Sequence, residues 1–390
     1  MRVLLIALLM AFGIWLPLMA VPPIEDVIAG QLGISNTLSA LLYSAPVAML
    51  ALVAIPGGFL ADSIGIKRAV GIGAVLLTVG AGLRAIASDF PTVLGFTLLY
   101  GLGMGLCFPN LPKLARHCSA RERSGVTLGL FLVAVIFSGA ISLAITRPAI
   151  YPITNTFQGV FLFTSIPVIA ATLLWWIFIS DPPCETAGVE TVKFDLASMR
   201  RMMRRRDLWL ASTLFLLHNF VLYTFVGWTP GYFKSIGASG DTAALIASVV
   251  LWTGMPAVFF LTRLSSRLGR KKPFIWGPSL FLIAGCYIML IINIPASPVL
   301  MVFVGIATSI RFATVLALPV EMVGPEQSGS ASGMAMSIGY TGAIIGPLVG
   351  GFVLDRTGSY EWVFLSLVIV SAVTAVVAFI VPETGSHGRH

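Results

Sequence analysis

Gly58-Phe59-Leu60-Ala61-Asp62-Ser63-Ile64-Gly65-Ile66-Lys67-Arg68 is a short polar turn between two long apolar runs. A related turn, Thr262-Arg263-Leu264-Ser265-Ser266-Arg267-Leu268-Gly269-Arg270-Lys271-Lys272, lies 204 positions further on, just over half the length of the 390-residue chain. Each copy bends at a glycine, Gly65 or Gly269, and continues into basic residues; glycine permits a tight turn at such a place. Gly58 is expected to allow close helix approach. Asp62, at a helix end, can accept hydrogen bonds from amides at the start of a neighbouring helix; the second copy has Ser266 there. Lys67 and Arg68 face lipid headgroups or pair with acids. One such turn would be unremarked, but its recurrence at the half-chain offset implies two halves of parallel topology. With Arg270, these residues form a candidate conformational gate, able to latch the halves together and release them.

Working outward, the chain is 57% hydrophobic and only 10% charged, where a soluble domain carries about 25% charge. A soluble core cannot absorb that deficit, because surface must grow with volume; lipid can. A spanning helix needs roughly 20 apolar residues for a hydrocarbon layer ~30 Å thick, so the chain has room for about twelve. We read spans at 3–28, 38–57, 69–88, 91–113, 125–147, 157–180, 208–230, 242–262, 273–293, 297–319, 331–353 and 361–381. The first looks like a signal peptide, but its removal would leave an odd number of spans, so it is expected to stay. The expectation is an all-α membrane protein with twelve transmembrane helices. They form an N-terminal six-helix bundle (1–180), a cytoplasmic linker (181–207) and a C-terminal six-helix bundle (208–390). In the linker, Met199, Met202 and Met203 alternate with Arg200, Arg201, Arg204, Arg205 and Arg206. That pattern suits a basic amphipathic helix on the membrane surface.

The net charge of +8 does not imply nucleic acid, because the basic residues cluster in loops of one parity. Of 24 Lys and Arg, 18 fall on one side: Arg2, Lys67, Arg68, Lys113, Arg116, Arg121, Arg123, Lys193, the linker's five arginines at 200–206, Arg263, Arg267, Arg270, Lys271 and Lys272. The other side has 4, Arg84, Arg147, Lys234 and Arg356. The positive-inside rule then places both termini in the cytoplasm. Cys107, Cys118, Cys184 and Cys286 lack metal-ligand spacing and are expected to be unpaired thiols.

The turn Gly58-x-Leu60-Ala61-Asp62-x-x-Gly65-x-Lys67-Arg68 resembles the signature loop of the major facilitator superfamily, and the resemblance extends over the whole chain. Within it, Leu83-Arg84, Gly101-Leu102-Gly103-Met104-Gly105 with Asn110-Leu111-Pro112-Lys113, and Tyr223…Trp228-Thr229-Pro230 resemble a subgroup of cyanate and nitroimidazole transporters. The resemblance implies the major facilitator fold, two pseudo-symmetric six-helix bundles rocking about a midplane site lined by spans 1, 4, 7 and 10.

Charge inside a span is costly and marks function by default. Arg311 lies near the middle of span 10, ~20 Å along the helix. It can grip an anion with its bidentate fork; alternatively it pairs with a backbone carbonyl or with Glu321. His218 and Asn219 sit at similar depth in span 7. His218 is a candidate for proton coupling or a hydrogen-bonding glue residue. Tyr223, higher on the same helix, is a candidate substrate hydrogen bonder, and Asn110 joins through the subgroup resemblance. Arg84 could draw anions in or snorkel to the interface, and Arg147 has the same two readings. No Asp or Glu is placed at midplane, which favours an anionic or neutral polar substrate. The four histidines are too scattered for a metal site, and neither a cofactor nor an enzymatic activity is expected. The function expected is secondary active transport of a small, anionic solute through the cell membrane by a monomer, with protons or a counter-substrate as coupling partners. The alternatives are an exporter of neutral or drug-like molecules, or a membrane sensor that transports nothing.

Overall fold

The computed structural model describes residues 2–111, 124–179, 203–323 and 327–384. Among them the regular structure is helical. In order the helices are α1 (Arg2–Met19), α2 (Glu25–Leu32), α3 (Asn36–Ile64), α4 (Ile66–Leu83), α5 (Phe90–Cys107), α6 (Ser124–Ile145) and α7 (Phe157–Phe178). They continue as α8 (Arg206–Ser235), α9 (Gly240–Leu268), α10 (Pro273–Met289), α11 (Ser297–Glu321), α12 (Ser328–Thr357) and α13 (Tyr360–Ile380). Eleven segments are long and apolar enough to cross a membrane, α1 and α2 counting as one, and α10 is a shorter twelfth. Helices are the only open-ended way to cross hydrocarbon, because each satisfies its own backbone.

Boundaries differ from the sequence reading where local chemistry intervenes. The first span is broken by a 3-10 turn at Pro22–Ile24. α5 ends at Cys107, ahead of Pro109, rather than running to 113. α10 has 17 residues, shorter than the span expected at 273–293, because the chain turns through Leu290 and Ile291 before Pro295. The amphipathic segment expected at 199–206 begins outside the described residues.

The chain forms two compact units, Met1–Glu185 with Gly227–Leu251, and Thr186–Val226 with Trp252–His390. In the first, α1 packs on α6 and α7, α5 on α3 and α4, and α4 on α7. Ser138 and Ser142 of α6 donate to the carbonyls of Phe12 and Leu16 at 2.6 and 2.7 Å, and Tyr100 of α5 donates to the Ile14 carbonyl. Thr172 of α7 donates to the Ala74 carbonyl of α4 at 3.3 Å. In the second unit α10 packs on α11 and α13, and α12 on α11 and α13.

Close backbone approach depends on glycine, since apolar tails offer no hydrophobic drive between helices and packing must supply the attraction. A Cβ at Gly103 would collide with Leu77 N and the Gly73 carbonyl, fixing the α4–α5 contact. A Cβ at Gly339, Gly342 or Gly346 of α12 would collide with Phe215, with the Leu216 carbonyl, or with Thr224 and Phe220 of α8.

Gly342→Ala is therefore expected to lower stability by about 1–3 kcal/mol, the usual cost of overpacking, read as thermal unfolding in detergent. Gly129→Ala, with open space around it, is the control and should be neutral. Equal melting temperatures for the two variants would show that α8 and α12 are not held at this distance.

Candidate functional site

Arg311 sits in the middle of α11 and is fully buried. Its Nε donates to His218 Nδ1 of α8 at 3.1 Å, and its Nη1 donates to Ser279 Oγ of α10 at 3.3 Å. Ser279 in turn donates to the Ile275 carbonyl at 2.8 Å, so its oxygen is free to accept from the guanidinium. An Nδ1 that accepts leaves a neutral imidazole with its proton on Nε2. Three helices thus converge on one cation. Neither of the pairings considered from sequence, a backbone carbonyl or Glu321, is the one found. Glu321 instead accepts from Lys271 at 3.0 Å and from Thr384 at 2.7 Å.

Two buried nitrogens of this cluster, Arg311 Nη2 and His218 Nε2, have no partner among the described residues. Both are N–H donors in the tautomer the geometry implies. A buried donor left unpaired costs about 1–3 kcal/mol, more when it is charged. An acceptor-bearing anion would relieve both. Phe312 lies beside the His218 ring, with centroids 5.5 Å apart, and gives the cluster an apolar wall.

The neighbours of His218 on α8 play other parts. Asn219 donates to the Gly339 carbonyl at 3.1 Å, which ties α8 to α12 at the glycine-mediated contact. Tyr223, one turn further, is buried. In the first unit, Asn110 donates to the Gly57 and Leu106 carbonyls at 3.1 and 2.9 Å. Its Oδ1 has no partner among the described residues, so that oxygen is what it can offer a ligand.

Arg84, at the end of α4, does not snorkel: it is 1% exposed. Its Cζ lies 4.8 Å from the Tyr100 ring centroid and 4.3 Å from that of Phe161. Such cation–π contacts contribute roughly 0.5–2 kcal/mol each. Arg147 differs from Arg84. It pairs with Asp26 Oδ1 at 3.0 Å, and Lys234 Nζ reaches the same oxygen at 2.7 Å. The sequence placed these charges near helix ends on one side but could not show that one acid serves two bases.

At the repeated turns, Gly65 and Gly269 both adopt positive φ, +91° and +61°. A side chain would be strained there, which is the physical content of the repeat. Beside Gly58, its neighbour Gly57 makes a close helix approach, where a Cβ would come within 3.1 Å of the Gly105 carbonyl. Lys67 takes part through its carbonyl, which accepts from Trp175 Nε1 at 3.0 Å. Arg68 and Arg270 are exposed. The side chains of Asp62 and Ser266 lie outside the described set. In the second turn a carboxylate comes from elsewhere: Glu383 accepts from the backbone N–H groups of Lys271 at 2.7 Å and Lys272 at 3.2 Å, ahead of α10. Among the described residues no three His, Cys, Asp or Glu side chains cluster as metal ligands.

With the geometry in hand, the chain can be set beside known proteins. A family model described as Major Facilitator Superfamily matches residues 3–237 and 230–389. The chain is 22% identical to the cyanate transport protein CynX of Escherichia coli (strain K12), over 93% of this chain and 93% of that protein. It is 24% identical to a hexuronate transporter of Bacillus subtilis (strain 168), over 94% of this chain and 90% of the relative. Its fold is similar to that of a bacterial homolog of the human lysosomal transporter Spinster, with a TM-score of 0.83, 15% identity, and 97% and 96% of the two chains covered.

The Arg311 cluster generates one structural expectation of its own. Ser279→Ala removes the acceptor for Arg311 Nη1 and should lower stability by about 1–3 kcal/mol. Ser248→Ala, whose hydroxyl bonds only the Leu245 carbonyl of its own helix, should change the melting temperature far less. A Ser279 variant as stable as wild type would remove this bond from the cluster.

Proposed function

The chain belongs to the Major Facilitator Superfamily, and on that premise we propose that it is a secondary active transporter carrying a small organic or inorganic anion across the cytoplasmic membrane by alternating access. The observation that carries this reading is the pair of buried donors at Arg311 Nη2 and His218 Nε2 that have no partner among the described residues. A donor-only site beside a permanent cation selects a ligand that brings acceptors and negative charge. The relatives support the same class through their names, one a transporter of cyanate, the other of hexuronate. An exporter of neutral compounds would leave a buried guanidinium without a counter-charge, which is costly in hydrocarbon.

In this reading Arg311 binds the anion, and Ser279 together with His218 orients the guanidinium. Asn219 and Tyr223, on the same helix as His218, are further substrate-binding candidates, and Asn110 is a separate one through its Oδ1, which has no partner among the described residues. His218 is also the group we assign to proton coupling. Its Nδ1 can hold either a hydrogen bond from Arg311 or a proton, not both, so protonation and the hold on Arg311 are mutually exclusive. The Gly58–Arg68 turn, through Gly65 and the Asp62–Lys67–Arg68 charges, and the Gly269–Arg270 turn act as the conformational latch. The basic excess at these turns orients the chain with both termini in the cytoplasm. The working unit is the single chain.

Counterflow in proteoliposomes, run with cyanate, small carboxylates and hexuronates, tests the substrate class. Arg311→Gln should abolish counterflow by a variant that remains monodisperse, whereas full retention would exclude Arg311 as the anion ligand. His218→Gln, whose amide keeps hydrogen-bonding groups but cannot titrate, should reduce counterflow less than Arg311→Gln does, yet lose accumulation driven by an imposed proton gradient. Gradient-driven uptake unchanged in that variant would exclude His218 from coupling.

A further inference from the structure

Among the described residues, Arg311 is not the only guanidinium buried without an acid. Arg84 belongs to the first unit, is 1% exposed, and has two nitrogens, Nε and Nη2, with no partner among the described residues. These are not an arbitrary pair. The Nε–H and one Nη2–H project from the same edge of the planar group, parallel to each other, and this is the fork that meets two oxygens of a carboxylate or similar anion at once. Tyr100 and Phe161 lie against the guanidinium through their rings. A ring face stabilises the positive charge but accepts neither of these N–H groups in line. The Tyr100 hydroxyl is committed to the Ile14 carbonyl.

The acids nearby in the chain are engaged elsewhere. Asp89, five residues on, accepts from Thr92 N and Thr92 Oγ1 at 2.9 Å and caps α5. Asp26 holds Arg147 and Lys234. Asp26 thus answers Arg147 and Lys234, whereas Arg84 has π faces and, among the described residues, an unused two-donor edge.

We propose that Arg84 forms a second anion site, separate from Arg311, whose Nε–Nη2 edge takes a small planar oxyanion of the carboxylate, nitrate or bicarbonate type. The ring contacts hold the guanidinium plane in place, and the ligand supplies both the negative charge and the two in-line acceptors. This inference goes beyond the proposed transport reading and does not depend on Arg311 binding substrate.

The test is thermal unfolding of the purified full-length protein titrated separately with formate, nitrate and bicarbonate at constant ionic strength, with neutral formamide as the control. In Arg311→Gln, with the other site removed, formate should still raise the melting temperature while formamide does not. Adding Arg84→Gln should abolish that rise. Arg84→Lys keeps the positive charge but not the fork, and should raise the half-saturating formate concentration about tenfold, the loss of roughly one charge-assisted hydrogen bond. The three anions ranked against one another identify the preferred one. The proposal is overturned if Arg311→Gln alone removes all formate-dependent stabilisation, or if the Arg84 variants retain it at unchanged half-saturation. Should both Arg84 variants aggregate, the Arg311→Gln titration decides by itself: a persisting rise supports the second site, and its disappearance ends it.

Discussion

Inside hydrocarbon a backbone amide has nothing to bond except its own helix, and the rest of this structure follows from that constraint. It makes every crossing helical, and it moves the problem of cohesion from burial to fit. With lipid as apolar as leucine, helices gain little from hiding their side chains from one another; they gain from approaching closely. Gly103 against Gly73 and Leu77, and the Gly339–Gly342–Gly346 series against α8, are among the close approaches. Serine and threonine hydroxyls then reach carbonyls of neighbouring helices, as Ser138 and Ser142 do on α1, adding a few tenths to about 2 kcal/mol each.

The same constraint sorts the cations into two groups. At helix ends, Arg147, Lys234 and Lys271 are answered by Asp26 and Glu321. The fully buried Arg84, also at a helix end, and Arg311, in mid-helix, meet no acid among the described residues; they are held by aromatic faces, a histidine and a serine. Neutral partners orient a guanidinium without cancelling its charge. A protein that only needed these arginines for packing would neutralise or replace them, since a buried, unpaired charge costs several kcal/mol. Their retention with donors unspent is the physical basis for reading both as anion sites.

The duplicated turn shows how a repeat can diverge while preserving its mechanics. Both copies have a glycine at positive φ, Gly65 and Gly269, where most side chains would be strained. The second copy has Ser266 at the position of Asp62, and Glu383, from beyond α13, places a carboxylate on the amides ahead of α10.

Much of this was legible in the residues themselves. Hydrophobic runs of spanning length, the one-sided distribution of basic residues and the half-chain repeat sufficed for an all-helical membrane protein and for singling out Arg311, His218 and Arg84, because length, charge and periodicity are properties of the chain alone. Partner choice was not legible. That Arg311 turns to His218 and Ser279 rather than Glu321, that Asn219 spends its amide on Gly339, that Gly57 closes on the Gly105 carbonyl, and that Arg147 meets an acid while Arg84, among the described residues, meets aromatic rings, all depend on which helices lie side by side and at what rotation. Only the tertiary structure decided these, because each is a contact between residues tens to hundreds of positions apart, where sequence spacing carries no information about distance.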